Sequence, residues 1–281
     1  MNSLERRAAI SLALIYATRM LGLFMILPVF AIYAEQLVHV TPLLVGLAIG
    51  IYGLTQAAFQ IPFGAWSDKI GRKPVIITGL LIFVIGSVIA ALADSIYWVI
   101  VGRALQGMGA IASAIMALAS DLTREEHRTK VMAIIGASIG ASFMVALVLG
   151  PILQSWVGVP GIFWITAILA FAGIAVVALL IPTPVQVSKQ AATVNKATLS
   201  TVLSDSQLLR LDAGVFILHM ALTAIFVVVP LILRDQYQII PEQHWKIYLS
   251  VMVASLVLLV PTIIVSEKLN KTKLVFSLAY W

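Results

Sequence analysis

Two arginines stand inside long apolar runs, Arg19 in the stretch from Ile10 to Ala34 and Arg103 between Val101 and Leu105. In hydrocarbon each guanidinium costs about 2.5–3.5 kcal/mol on insertion scales, so such a residue marks a functional site by default. For Arg103, close to one end of its run, the alternative is a side chain that reaches out to the interface. Gln106 and Gly107 follow it in helical register, so Arg103, Gln106 and Gly107 are read as one functional group. Tyr52, Gln56 and Gln60 recur every four residues and share one helix face. In lipid that polar stripe must meet protein or water. It either lines a cavity or hydrogen-bonds to a neighbouring helix. His219 adds an imidazole, the side-chain type that exchanges a proton near neutrality, or else an interhelical donor. Arg19, Tyr52, Gln56, Gln60 and His219 form the candidate cavity set. No Asp or Glu falls near the centre of an apolar run; Glu35 and Asp212 lie at run ends. The buried carboxylate common in proton-coupled carriers is therefore expected either in helices beyond this chain, or replaced by His219, or not used.

The second group is a loop, Gly64-Ala65-Trp66-Ser67-Asp68-Lys69-Ile70-Gly71-Arg72-Lys73-Pro74, between two apolar runs. A turn this short needs a residue free of Cβ, which Gly71 supplies. Gly64 permits close helix approach. Asp68 is expected to cap a helix N-terminus, where a carboxylate meets free N–H groups. Lys69, Arg72 and Lys73 suit a cytoplasmic turn, where Arg72 and Lys73 can pair with Asp68 or with lipid phosphates. Topology alone accounts for the cations but not for Asp68 or the glycines, so the loop is read as a conformational switch.

These groups need a scaffold, and composition names its solvent. The chain is 61% hydrophobic and only 11% charged, with a mean hydropathy of +1.06. A soluble domain carries about 25% charged residues. A bilayer is the expected partner. The net charge of +6 is spread over short loops and forms no basic stripe, so nucleic acid is not expected. There is no cysteine, which excludes disulfides and thiolate metal sites. No P-loop or catalytic cluster is present. No metal, cofactor or enzymatic activity is expected. Arg6 and Arg7 precede an apolar run too long for a signal peptide, so that run reads as a retained first span.

Spanning the ~30 Å hydrocarbon core takes about 20 apolar residues in a helix. Eight segments qualify, near 10–34, 43–66, 74–93, 97–119, 130–153, 160–181, 210–233 and 245–266, and a ninth begins near Leu274. The fold class is an all-α polytopic membrane protein. Residues 1–181 form a six-helix bundle, 182–209 a polar cytoplasmic linker and 210–281 a partial second bundle. One set of alternate loops carries fourteen of the 18 Lys and Arg, the other only Arg234 and Lys246. By the positive-inside rule this places the N-terminus in the cytoplasm. Gly46 with Gly50, and Gly136 with Gly140, match the small-xxx-small packing pattern.

The chain also repeats itself. The segment from Pro62 aligns with that from Pro261 without a gap, pairing Ser67 with Ser266, Asp68 with Glu267 and Arg72 with Lys271. Pro28-Val29-Phe30 is echoed more loosely from Pro230. Parallel repeats about an axis normal to the membrane are a transporter plan. The second copy is shorter than the first, which leads us to expect a chain truncated at its C-terminus.

The loop resembles the signature between helices two and three of the major facilitator superfamily, with Gly64, Asp68, Lys69, Gly71, Arg72 and Lys73 in its positions. Arg103-Ala104-Leu105-Gln106-Gly107 is similar to the family's Arg-x-x-Gln-Gly. Gly150-Pro151 resembles part of its antiporter motif, although Ile152-Leu153 replaces the usual small residues. Asp121-Leu122-Thr123-Arg124 also fits. Over its length the chain resembles bacterial inner-membrane members of the drug:proton antiporter group, which have twelve helices. That resemblance implies a major facilitator fold with the first six-helix bundle complete and the second incomplete. It implies a loop that latches the bundles in the outward-facing state, with Asp68 meeting helix eleven. It implies that Arg103 bonds to helix one and takes part in proton coupling. The function expected is secondary active transport, by proton-coupled efflux of a small hydrophobic or amphipathic substrate. The partners expected are lipid, substrate and protons, with the protein a monomer in the bacterial inner membrane. The alternative is a transport-inactive membrane fragment of such a carrier.

Overall fold

The computed structural model describes residues 1–182 and 204–269. Its elements are α1 (Ser3–Ala34), α2 (Pro42–Ile70), α3 (Arg72–Ala91), α4 (Ile96–Met108), α5 (Ala112–Asp121), α6 (Glu125–Leu179), α7 (Ser206–Asp235) and α8 (His244–Leu269), the last preceded by a 3₁₀ turn. Most of the linker and the expected ninth segment lie outside the described residues.

The helix ends follow from local chemistry. Asn2 and Glu5 form a capping box, each side chain bonded to the other's backbone N–H at 2.7–2.8 Å. This starts α1 seven residues before the apolar run, since two orphan donors are satisfied reciprocally. Thr41 caps α2 ahead of Pro42, and Asp205 caps α7. Gly71, at φ 100°, separates α2 from α3 in a conformation that a Cβ disfavours.

Two spans expected to be simple are not. The segment near 97–119 is one pass but two helices, broken between Met108 and Ala112. Gly79 of α3 lies against Gly109 and Ile111 at this break. The segments near 130–153 and 160–181 merge into α6, turned at Gly158 with φ 69°.

Hydrogen bonds set the directions. Ser138 Oγ donates to Ala13 O and Ser142 Oγ to Ala17 O, at 3.3 and 3.0 Å. The constant offset makes α1 parallel to the first half of α6. Lys73 Nζ donates to Ile181 O at 2.8 Å, and Gly173 lies against Leu80, so the second half of α6 runs antiparallel to α3. Among the described residues six helices, counting α4 and α5 as one, are long and apolar enough to cross a membrane. The reversal in α6 raises these to seven passes, and α8 covers the eighth expected segment.

Two apolar cores stack along the bundle. One gathers Leu12, Ile76, Phe83, Ile115 and Val177, the other Phe30, Ala48, Ile96, Ile162 and Phe163. Only Phe226 and Pro230 are buried in α7, Val227 and Leu231 pack against the second core, and Leu211, Ile217 and Leu218 are exposed, as a lipid-facing side requires. Pro28 and Pro230 lie inside α1 and α7, and Pro62 and Pro261 inside α2 and α8, which agrees with the repeat. Lys271, in the second copy, lies outside the described residues.

Candidate functional site

A cavity of about 610 Å³ opens between α1, α2 and α7. Tyr52, Gln56 and Gln60 of α2 line one wall and His219 and Thr223 of α7 the other, amid Phe24, Phe216 and Phe226. Four of the five candidate cavity residues thus share one space. The stripe lines a cavity, and Tyr52 Oη and Gln60 Oε1 are buried without a protein partner. His219 Nδ1 stays 2.9 Å from Val215 O in its own helix, so it is not the interhelical donor considered above.

Arg19, the fifth, does not line the cavity. It is buried behind Tyr52, 1% exposed, with its guanidinium carbon 5.8 Å from the Tyr52 ring centroid and 5.4 Å from that of Phe83. Its Nη2 donates to Gly109 O at 3.1 Å. The break between α4 and α5 presents this carbonyl, so the irregular backbone and the buried cation answer each other.

Arg103 is also buried, with its guanidinium carbon 4.9 Å from the centroid of the same Tyr52 ring. Its Nε donates to Ala48 O in α2 at 3.3 Å and its Nη1 to Gln106 Oε1 at 2.9 Å. Gln106 Nε2 donates in turn to Ser87 Oγ at 2.8 Å, and Ser87 to Phe83 O. The motif is a chain of donors and acceptors running from α4 into α3. Gly107 faces Tyr52 O and Thr55, where any side chain would collide with α2. The expected bond from Arg103 to helix one is not the one formed: among the described residues Arg103 reaches α2, and Arg19 of α1 supplies the link to α4. Arg103 is also too deeply buried to reach the interface.

The loop differs from expectation in one detail. Asp68 does not cap α3, whose N-cap Gly71 has no side-chain bond. Instead Arg72 gathers three partners: an ion pair with Asp68, Asp121 Oδ2 at 3.2 Å and Ser67 Oγ at 2.6 Å. The planar guanidinium donates to several acceptors at once, and the Asp68 carboxylate is one of them. Lys73 caps the end of α6 through Ile181 O, Lys69 is exposed, and Gly64 lies against Ser113 of α5.

Gly150 of the antiporter-like pair sits where α6 crosses α1. A Cβ there would fall 2.6 Å from Met25 O and 3.1 Å from Pro28, and Pro151 beside it is buried. By contrast Gly46, Gly50, Gly136 and Gly140 meet nothing within 4 Å, so they are not close-packing pairs among the described residues. That role falls to Gly86 and Gly102, each of which would place a Cβ 2.5–2.6 Å from the other's carbonyl.

Three features went unread in the sequence. Glu5 Oε1 accepts from Arg124 Nε at 2.9 Å, tying α1 to the start of α6. Asn2-x-x-Glu5 was the available signal for this end. Arg234 pairs with Glu35, joining α7 to α1. Ser67 and Asp121 complete the Arg72 cluster; each lay in a motif read above, but nothing along the chain joined them to Arg72.

A set of apolar passes with paired internal arginines and a polar-lined cleft against α7 defines a polytopic membrane protein. The chain belongs to the Major Facilitator Superfamily, whose model matches residues 12–280. It is 50% identical over 273 residues to the inner membrane transport protein YajR of Escherichia coli (strain K12), covering 97% of this chain and 60% of that protein. It is 41% identical to an uncharacterized transporter of Buchnera aphidicola subsp. Acyrthosiphon pisum (strain APS), covering 91% of this chain and 66% of that one. In structure it matches a bacterial homolog of the human lysosomal transporter Spinster, inward-facing and occupied, with TM-score 0.73, 15% identity, 97% of this chain and 63% of that one. The expected family and fold class therefore hold, and these relatives are transporters rather than enzymes. The chain spans less than two thirds of the length of each.

Proposed function

We propose that the protein is a secondary active transporter working by alternating access, and that the cleft between α2 and α7 is its substrate path. The observation that carries this is the cavity of about 610 Å³ flanked by Tyr52, Gln56, Gln60 and His219 in otherwise apolar helices. Its aromatic and aliphatic lining favours a small hydrophobic or amphipathic organic substrate. Residues 1–181 act as one bundle, 182–209 as a cytoplasmic linker and 210–281 as part of a second bundle. Fourteen cations in alternate loops support a cytoplasmic N-terminus. The similarity to an inner membrane transport protein supports the bacterial inner membrane.

Proton-coupled efflux is the finer reading. The Gly150-Pro151 crossing on α1 supports an antiporter. His219 is the cavity group suited to carry the proton, with Arg103, Gln106 and Gly107 coupling its charge to α2 and α3. The loop from Gly64 to Lys73 acts as the switch, holding α2, α3 and α5 together through Arg72. Substrate and protons are the partners and the monomer is the working unit.

Dye efflux from cells expressing the chain tests this, with Asp68→Asn and His219→Gln as comparisons. Efflux should collapse with the proton gradient and fall in both variants. Equal efflux from all three chains rejects the loop and the imidazole together. Membrane insertion without efflux from any of the three chains rejects the transport reading.

A further inference from the structure

Arg19 is the least satisfied charge among the described residues. Its Nε and Nη1 are buried and have no hydrogen-bond partner, and Nη2 has one neutral acceptor. Arg103 lies against the same Tyr52 ring. Neither guanidinium has an ion-pair partner among the described residues, where the ion pairs involve Arg72, Arg124 and Arg234. Uncompensated charge in a low-dielectric wall is costly, and that cost falls when an opposite charge approaches.

Tyr52 connects this wall to the cavity. It lines the cavity, its ring touches both arginines, and its hydroxyl is a buried donor without an acceptor. The remaining lining offers neutral amides, a histidine and apolar groups, and no carboxylate. A cationic ligand would meet two like charges behind one aromatic ring and nothing to balance its own. An anionic group against the Tyr52 side chain would find an unused hydroxyl donor just beneath the cavity wall and, farther in, the unpaired Nε and Nη1 of Arg19.

We infer that the cavity selects amphipathic organic anions, taking an apolar body against Phe24, Phe216 and Phe226 and a carboxylate or sulfonate at Tyr52, with Arg19 as the counter-charge. This rests on the reading of the cleft as the substrate path and narrows its substrate class.

The test is equilibrium binding to the full chain in lipid nanodiscs, with empty nanodiscs as background. Three probes share one ring system: naphthalene-2-sulfonate, 2-naphthamide and trimethyl(2-naphthyl)ammonium. The sulfonate should bind at least tenfold more tightly than the ammonium compound, with the amide between. Arg19→Gln should lower sulfonate affinity tenfold or more and leave the amide within threefold, whereas Arg19→Lys, which keeps the charge, should lose less than threefold. Tyr52→Phe should weaken the sulfonate alone. The wild-type preference needs no variant, so misfolding of Arg19→Gln cannot mask the result. Equal or stronger binding of the cation overturns the anion assignment and leaves the cleft as a binding site. Binding of none of the probes overturns both.

Discussion

Glu35 and Arg234 join the far ends of α1 and α7 through two parallel hydrogen bonds, the longer 3.0 Å. Arg234 also holds Asp235 beside it. The two helices are related by the internal repeat, so the pair fastens equivalent ends of the two bundles on the side away from Met1. Exposed ion pairs are worth about 0.2–1 kcal/mol, a few-fold in a conformational equilibrium. Glu35→Gln should raise the population with these ends apart two- to fivefold, read by electron–electron distance measurement between spin labels there. The chain has no cysteine, so the labelled positions are unambiguous. Glu35→Arg combined with Arg234→Glu should restore the original distribution.

Arg72 serves three acceptors, while Asp68 and Asp121 each serve one guanidinium. Arg72→Ala should therefore lower stability by about 1–2 kcal/mol, and Asp68→Asn or Asp121→Asn by less than about 1 kcal/mol each. Adding Asp68→Asn to Arg72→Ala should cost almost nothing more, because their shared bond is already gone. Denaturant unfolding in detergent reads all four. Additive losses would mean that Asp68 has an independent partner.

Gln106 is the acceptor that keeps Arg103 quiet. Gln106→Leu leaves Arg103 Nη1 buried beside hydrocarbon and Ser87 Oγ without its donor. A loss of about 2–4 kcal/mol is expected, since an unpaired buried charge costs more than a neutral hydrogen bond gains. Gln106→Glu should recover much of it. A loss below about 1 kcal/mol for Gln106→Leu would show that Arg103 is solvated.

Gly86→Ala should destabilise by about 1–3 kcal/mol, because its Cβ would meet backbone in α4 that cannot move aside. Gly136→Ala, into open space, should be neutral or stabilising by about 0.5–1 kcal/mol.

That contrast marks what sequence could and could not give. The Gly-xxx-Gly pattern pointed to Gly46 and Gly136, but spacing does not say which helix comes near, and Gly86 and Gly102 carry the close contact instead. The polar stripe at Tyr52, Gln56 and Gln60 was legible because a 3.6-residue period fixes a face without knowing its neighbour. Arg19 and Arg103 were legible as exceptions in hydrocarbon. Their common contact with Tyr52 was not, because it depends on the broken helix at Gly109. Asp68 had two readings along the chain, a helix cap or a partner for Arg72 four residues on, and the second is the one formed; that Arg72 also recruits Asp121 from another helix was not legible. Glu35 and Arg234 each sat at an unremarkable helix end, and only their meeting across the repeat gives them a role.

Thiol accessibility along α2 tests most directly the claim that a water-filled cleft separates α2 from α7. Single cysteines at Gln56, Gln60 and Leu54 would be introduced into membrane-embedded protein and treated with a membrane-impermeant thiol reagent. Gln56→Cys and Gln60→Cys should react at least tenfold faster than Leu54→Cys, which replaces an apolar side chain outside the cavity lining. Equal protection at all three positions would contradict the account, because the polar stripe would then be sealed against protein or lipid and no substrate path would run beside it.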